Sequence, residues 1–195
     1  MFPIRDHNPS ERVPYVTYAL LIANIVIFLI YLPIMNDPRA LSEFWDTWAM
    51  RPVEIVNGVD TYTLFTSMFL HGGFMHLAGN MLFLWIFGDN LEDQMGHVPF
   101  LIFYLVCGIG ADVGQVLADL SSGVPTVGAS GAIAGVMGGY LLLFPRAKVD
   151  ILLIIIIIFK IFPVPAWVML GLWMAMQVFN GITTDTTGGL SLIHI

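Results

Sequence analysis

A serine set among glycines, in the run GASGAIAGVMGG from Gly128 to Gly139, is the first candidate for covalent chemistry in this 195-residue sequence. The Ser130 hydroxyl is a weak nucleophile until a base takes its proton. At the start of a helix it would gain the positive end of the helix dipole and backbone N–H groups with no intrahelical partner. Such donors can stabilise the oxyanion of a tetrahedral intermediate. The second constellation is HGGFMHLAGN, from His71 to Asn80. His76 and Asn80 fall one helical turn apart on a shared face, and both side chains can donate hydrogen bonds.

Each constellation also has a purely structural reading. Gly131, Gly135 and Gly139 recur every fourth residue, the small-residue spacing that lets membrane helices approach closely. Close approach and chemistry are compatible, since packing could bring Ser130 to a partner. Because Ala132 follows Gly131, G-x-S-x-G is not met, and the strand that a soluble hydrolase elbow requires is absent. His76 and Asn80 could serve as interhelical hydrogen-bonding residues. His71 precedes the Gly72–Gly73 turn and is expected to anchor that loop, its ring facing away from His76. Asp112 and Gln115 share a helix face and suit either a wet cleft or a helix contact. Met137, Met169, Met174 and Met176 suit packing, and Lys160 can snorkel. No H-E-x-x-H spacing occurs, so neither metal nor cofactor is expected.

The elements that must position these groups are membrane helices. Hydrophobic residues make up 57% of the chain and charged residues 11%, against about 25% charged in soluble domains. Mean hydropathy is +0.83. A net charge of −7 gives no basic footprint for nucleic acid. The single Cys107 permits no internal disulfide. A spanning helix needs about 20 mostly apolar residues, and residues 15–34 supply them without a small-residue cleavage site, which marks a retained span. Residues 35–64 mix charges with Phe44, Trp45 and Trp48, the pattern of an interfacial loop with amphipathic pieces. Further apolar helices are expected at 74–91, 98–118 and 129–144. From Val149 to Phe179 the only charge is Lys160; an apolar hairpin or partly inserted arm is expected there, then one helix after Pro165. Placing the N-terminus in the cytoplasm puts Arg5, Arg12, Arg146 and Lys148 inside and only Arg39 and Arg51 outside, in agreement with the positive-inside rule. Ser130 and His76 then both lie toward the outer face.

Taken together, the strings RDHNPS, FLHGGFMHLAGNM, FGDNLEDQMG, VGASGAIAGVMGGYLLLFPRAKV and the PAW segment at Pro165–Trp167 resemble, in order, a bacterial rhomboid intramembrane serine protease. The resemblance runs over nearly the whole chain. It implies an all-α polytopic bundle of six membrane helices, with a cytoplasmic segment at 1–14 and the rhomboid domain at 15–189. It further implies a bacterial cytoplasmic membrane, membrane lipid as surroundings and transmembrane proteins as substrates. By the same resemblance Ser130 attacks the scissile carbonyl, and His76, Asn80 and the Ser130 N–H form the oxyanion hole. A histidine on helix six would complete a Ser–His dyad.

The tail departs from the family pattern. After Gly188–Gly189 the family places its histidine beyond five residues, whereas here His194 comes one position early and one residue before the end. One position turns a helical side chain by about 100°. His194 is thus the candidate base in a truncated or artefactual tail, 190–195, and the expectation is a chain with little or no activity. The rival reading is a rhomboid-like pseudoprotease that holds client helices without cutting them. A channel or transporter would call for an internal repeat or a line of buried charges, and the sequence has neither.

Overall fold

A computed structural model describes residues 2–155 and 158–183, with side chains described for 3–152 and 160–175. Helix α1, Tyr15–Tyr31, buries Thr17, Leu20, Leu21, Asn24, Phe28 and Tyr31. That three-and-four spacing forms one stripe, while Ile22, Ile25, Val26, Leu29 and Ile30 stay exposed, as lipid-facing residues should. With the 3₁₀ turn Leu32–Ile34 it makes a 20-residue apolar run, long enough to span. The connecting segment holds amphipathic α2, Pro38–Trp48, capped by the Asp37 carboxylate on the Arg39 and Ala40 N–H groups, and the short α3, Pro52–Val56. Helix α4, Thr63–Thr66, and the 3₁₀ turn Ser67–Phe69 lead into α5, Phe74–Met95, across a 92° bend. Gly96, at a φ of +83°, makes the tight link to α6, His97–Ala118. Helix α7, Ser130–Leu143, follows a long loop.

The expected apolar hairpin is a β-hairpin. Strands β2, Lys148–Ile155, and β3, Ile158–Pro165, pair antiparallel, and β1, Phe2–Asp6, adds to the free edge of β2. The isoleucine-rich run suits a strand, and cross-strand pairing satisfies its backbone groups. Helix α8, Ala166–Thr183, starts directly after Pro165. The core gathers around α7, where Ile133, Val136 and Tyr140 are buried against Leu84, Phe87, Leu91, Phe100 and Tyr104.

The N-terminal string and the string ending α5 bind one another. Asn8 donates to Asn90, Ser10 donates to Asp89, and the backbone N–H groups of Glu11 and Arg12 donate to Asp93. Buried Glu92 accepts from the N–H of Val16 and Thr17 at 2.8 Å and from the Thr17 hydroxyl at 2.7 Å. These are the orphan donors of the first turn of α1, so a carboxylate on α5 caps α1 at a distance. Removing it would strand buried donors, at a cost of about 1–3 kcal/mol. Glu92→Ala is therefore expected to lower the thermal midpoint in detergent, and Glu92→Gln to lower it less.

A second knot ties β1 to β2. His7 and Arg5 donate to the Asp150 carboxylate at 2.7 and 2.9 Å, and those bonds hold its pKa below the ordinary 3.8. A depressed carboxylate contributes stability above its unfolded pKa and loses it as pH falls through the folded one. Protection of the β1 amides against hydrogen exchange, relative to the intrinsic rate at each pH, should fall below about pH 4, and in Asp150→Asn already at neutral pH.

Candidate active site

Ser130 occupies the first position of α7, with Ala129 as the N-cap residue. The side chain is nearly buried, at 3% exposure. Glycines permit this depth. A Cβ on Gly131 would collide with Ala111 of α6, one on Gly135 with Cys107, and one on Gly139 would lie 2.8 Å from Leu91 of α5. The small-residue face therefore does pack closely, and in doing so carries the start of α7 into the protein.

Across from it stands α5. His76 sits in its first turn, and Asn80 one turn on is fully buried. The Gly72 N–H donates to His76 Nδ1 at 3.3 Å. With Nδ1 accepting, the proton of the neutral ring belongs on Nε2. Gly128 marks what that nitrogen faces. A Cβ there would be 3.0 Å from His76 Nε2 and 3.5 Å from Ser130 Oγ, so ring and hydroxyl flank one small space. Gly128 has a φ of +133°, a conformation that side chains disfavour. Asn80 Nδ2 donates to the His76 carbonyl at 3.1 Å, and its buried Oδ1 has no partner among the described residues.

Supporting residues far apart in sequence fix this arrangement. The Gly128 N–H donates to the Ser67 carbonyl at 2.9 Å, and the Ser67 hydroxyl donates to Asp112 at 2.8 Å. Asp112 thus braces the loop that delivers Ser130. Asp112, Gln115 and Ser130 also line a cavity of about 30 Å³, room for a water molecule. The two readings of Asp112 are both realised, as a helix contact and as a cavity wall. His71 anchors its loop as expected: Tyr31 donates to its carbonyl and accepts from its N–H. Its ring, however, does not face away. It packs edge-on against His76 with centroids 5.1 Å apart, because the loop between them folds back and helical spacing does not apply there. His194 lies outside the described residues.

Sequence reasoning passed over Ser67, Tyr31 and Gly128. An intramembrane carboxylate was a visible signal for Asp112; nothing local marks Ser67 or Tyr31, whose roles exist only through distant partners.

Comparison with known proteins is informative here. The family model for the rhomboid domain matches residues 59–193. The chain is 32% identical over 128 residues to the rhomboid protease GluP of Bacillus subtilis, covering 66% of this chain and 24% of that protein. It is 30% identical over 156 residues to RHOMBOID-like protein 1 of Arabidopsis thaliana, covering 66% and 39% respectively. Against the mitochondrial Rhomboid protein 1 of Saccharomyces cerevisiae it is 40% identical over 108 residues, covering 52% and 29%. The chain thus spans well under two thirds of the length of each of these relatives.

Gly128→Ala tests the geometry. Its Cβ would press on the His76 ring in a strained backbone conformation, so the thermal midpoint should fall, and in a form carrying the complete dyad fluorophosphonate labelling at Ser130 should fall steeply at temperatures where the variant is still folded.

Proposed function

Given that the chain belongs to the rhomboid family and is an integral membrane protein, we propose that it is an intramembrane serine endopeptidase acting on transmembrane helices of other proteins. The observation that carries this reading is the shared space between Ser130 Oγ and His76 Nε2 beside Gly128. Ser130 attacks the scissile carbonyl, and the developing oxyanion meets the His76 Nε2–H, the Asn80 amide and the free N–H at the start of α7. The hydrogen bond from Gly72 to Nδ1 supports a donor role for His76, since it leaves the protonated nitrogen on the Ser130 side. The base is a second histidine, for which His194 is the candidate.

The depth of the site fits hydrolysis in a membrane. Helix α7 has 14 residues, about 21 Å of helix against roughly 30 Å of hydrocarbon. With Arg146 and Lys148 at the headgroups beyond its far end, Ser130 lies below the opposite surface. Water must therefore reach it through the protein, and the cavity lined by Asp112 and Gln115 offers it a place. A substrate helix must unwind there to expose a carbonyl, which favours cleavage near small, helix-breaking residues. The proposed orientation has a cytoplasmic N-terminus and a site opening outward, in a bacterial cytoplasmic membrane.

Cleavage of a reporter transmembrane helix, together with fluorophosphonate labelling, tests the proposal. It should be run on the 195-residue chain and on a form extended by a small-residue sixth helix with its histidine six residues after Gly189, beyond five intervening residues. In the active form Ser130→Ala should abolish both signals, and Asn80→Ala should lower the cleavage rate about a hundredfold, the effect of losing one oxyanion donor. A folded, extended protein that binds the reporter yet neither cleaves nor labels would favour the client-binding reading.

A further inference from the structure

A second cavity, of about 420 Å³, opens beside α1 at the edge of the core, with buried Tyr31 and Leu70 in its lining. Its walls include Ile27 and Ile30 of α1, Phe44 and Trp48 of α2, and Phe65 and Phe69 near the α4 turn. Far smaller apolar cavities, on the order of 150 Å³, already bind apolar guests. Among the described residues, the hydroxyls in its lining are engaged elsewhere. Tyr31 donates to the His71 carbonyl and accepts from the His71 N–H, and Thr66 donates to the Trp48 carbonyl at 2.8 Å. The pocket therefore presents an occupant with an almost wholly apolar surface, and an unwound peptide would leave most of its polar groups unpaired there.

Its position names the occupant. The mouth is continuous with the exposed apolar flank of α1, where Val26, Leu29 and Ile30 face outward on a helix fit to span the bilayer. Amphipathic α2 roofs it with Trp48, a residue that favours the headgroup level. A flexible chain lying along α1 can enter this concave space directly from the surrounding lipid. We propose that the pocket holds an acyl chain of a bilayer phospholipid. It lies close to the candidate site: Tyr31 forms its inner wall, holds the His71 backbone, and the His71 ring packs on His76.

The test is photolabelling of the purified chain in phosphatidylcholine nanodiscs containing a phosphatidylcholine with a diazirine near one acyl terminus. Adducts should concentrate on Ile27, Ile30, Phe65 and Phe69 relative to Ile22, Ile25 and Val26, which are exposed on the open flank of the same helix. Ile27→Trp and Ile30→Trp, each checked for an unchanged thermal transition, should remove that excess, whereas Ile22→Trp should leave it. Even labelling along α1, or an excess indifferent to both filling variants, would overturn the assignment. So would labelling of these residues by a photoreactive substrate helix or a second copy in preference to lipid. The readout uses no proteolysis, so its failure is separate from failure of the enzyme reading.

Discussion

Close contact between α7 and α6 is the constraint on which the rest depends. A helix N-terminus inside a membrane protein carries several N–H groups without intrahelical partners, and lipid supplies none. Such an end must therefore be buried in protein or face a polar cavity. Gly131 and Gly135 let α7 lie against Ala111 and Cys107 with no side chain between, which brings Ser130 under cover. The same donors that make this helix end costly are the ones an oxyanion could use.

The helix facing Ser130 is held at both ends by α1. At one end the Glu92 carboxylate caps the first turn of α1; at the other the Tyr31 hydroxyl clamps the loop before α5. Between these knots α1 meets α5 through an apolar stripe. The hydrogen bonds that join α1 to α5 thus sit at the ends, where they fix register, while Asn24, buried midway, donates to the Leu20 carbonyl of its own helix. His76 inherits its placement from this frame, with His71 against its ring and Gly72 on its Nδ1.

The loop before α7 is governed from a third direction. Ser67 joins Asp112 through its hydroxyl and Gly128 through its carbonyl, linking the bend before α5, the middle of α6 and the approach to Ser130. Buried carboxylates are expensive unless they are hydrogen-bonded. Asp112 has that bond and also borders the cavity beside Ser130, so one residue serves both the support of the loop and the polarity of the space next to it.

The sequence by itself determined the membrane class, the helix spans and the residues with chemical potential, because these are properties of runs and spacings. Twenty apolar residues have one use at residues 15–34, and the four-residue interval between His76 and Asn80 fixes a shared face in any helix. The strand nature of residues 148–155 and 158–165 was less legible, since a long apolar run suits helix and strand alike and only the pairing of β1, β2 and β3 decides. The sequence was silent where contacts join distant positions: Glu92 to α1, Tyr31 to His71, Ser67 to Asp112 and Gly128. It also misdirected at His71, whose ring direction follows the loop backbone and not a helical repeat. Which nitrogen of His76 faces Ser130, and how deep Ser130 lies, were decided only by tertiary structure, because both depend on what packs against the residue and not on the residue itself.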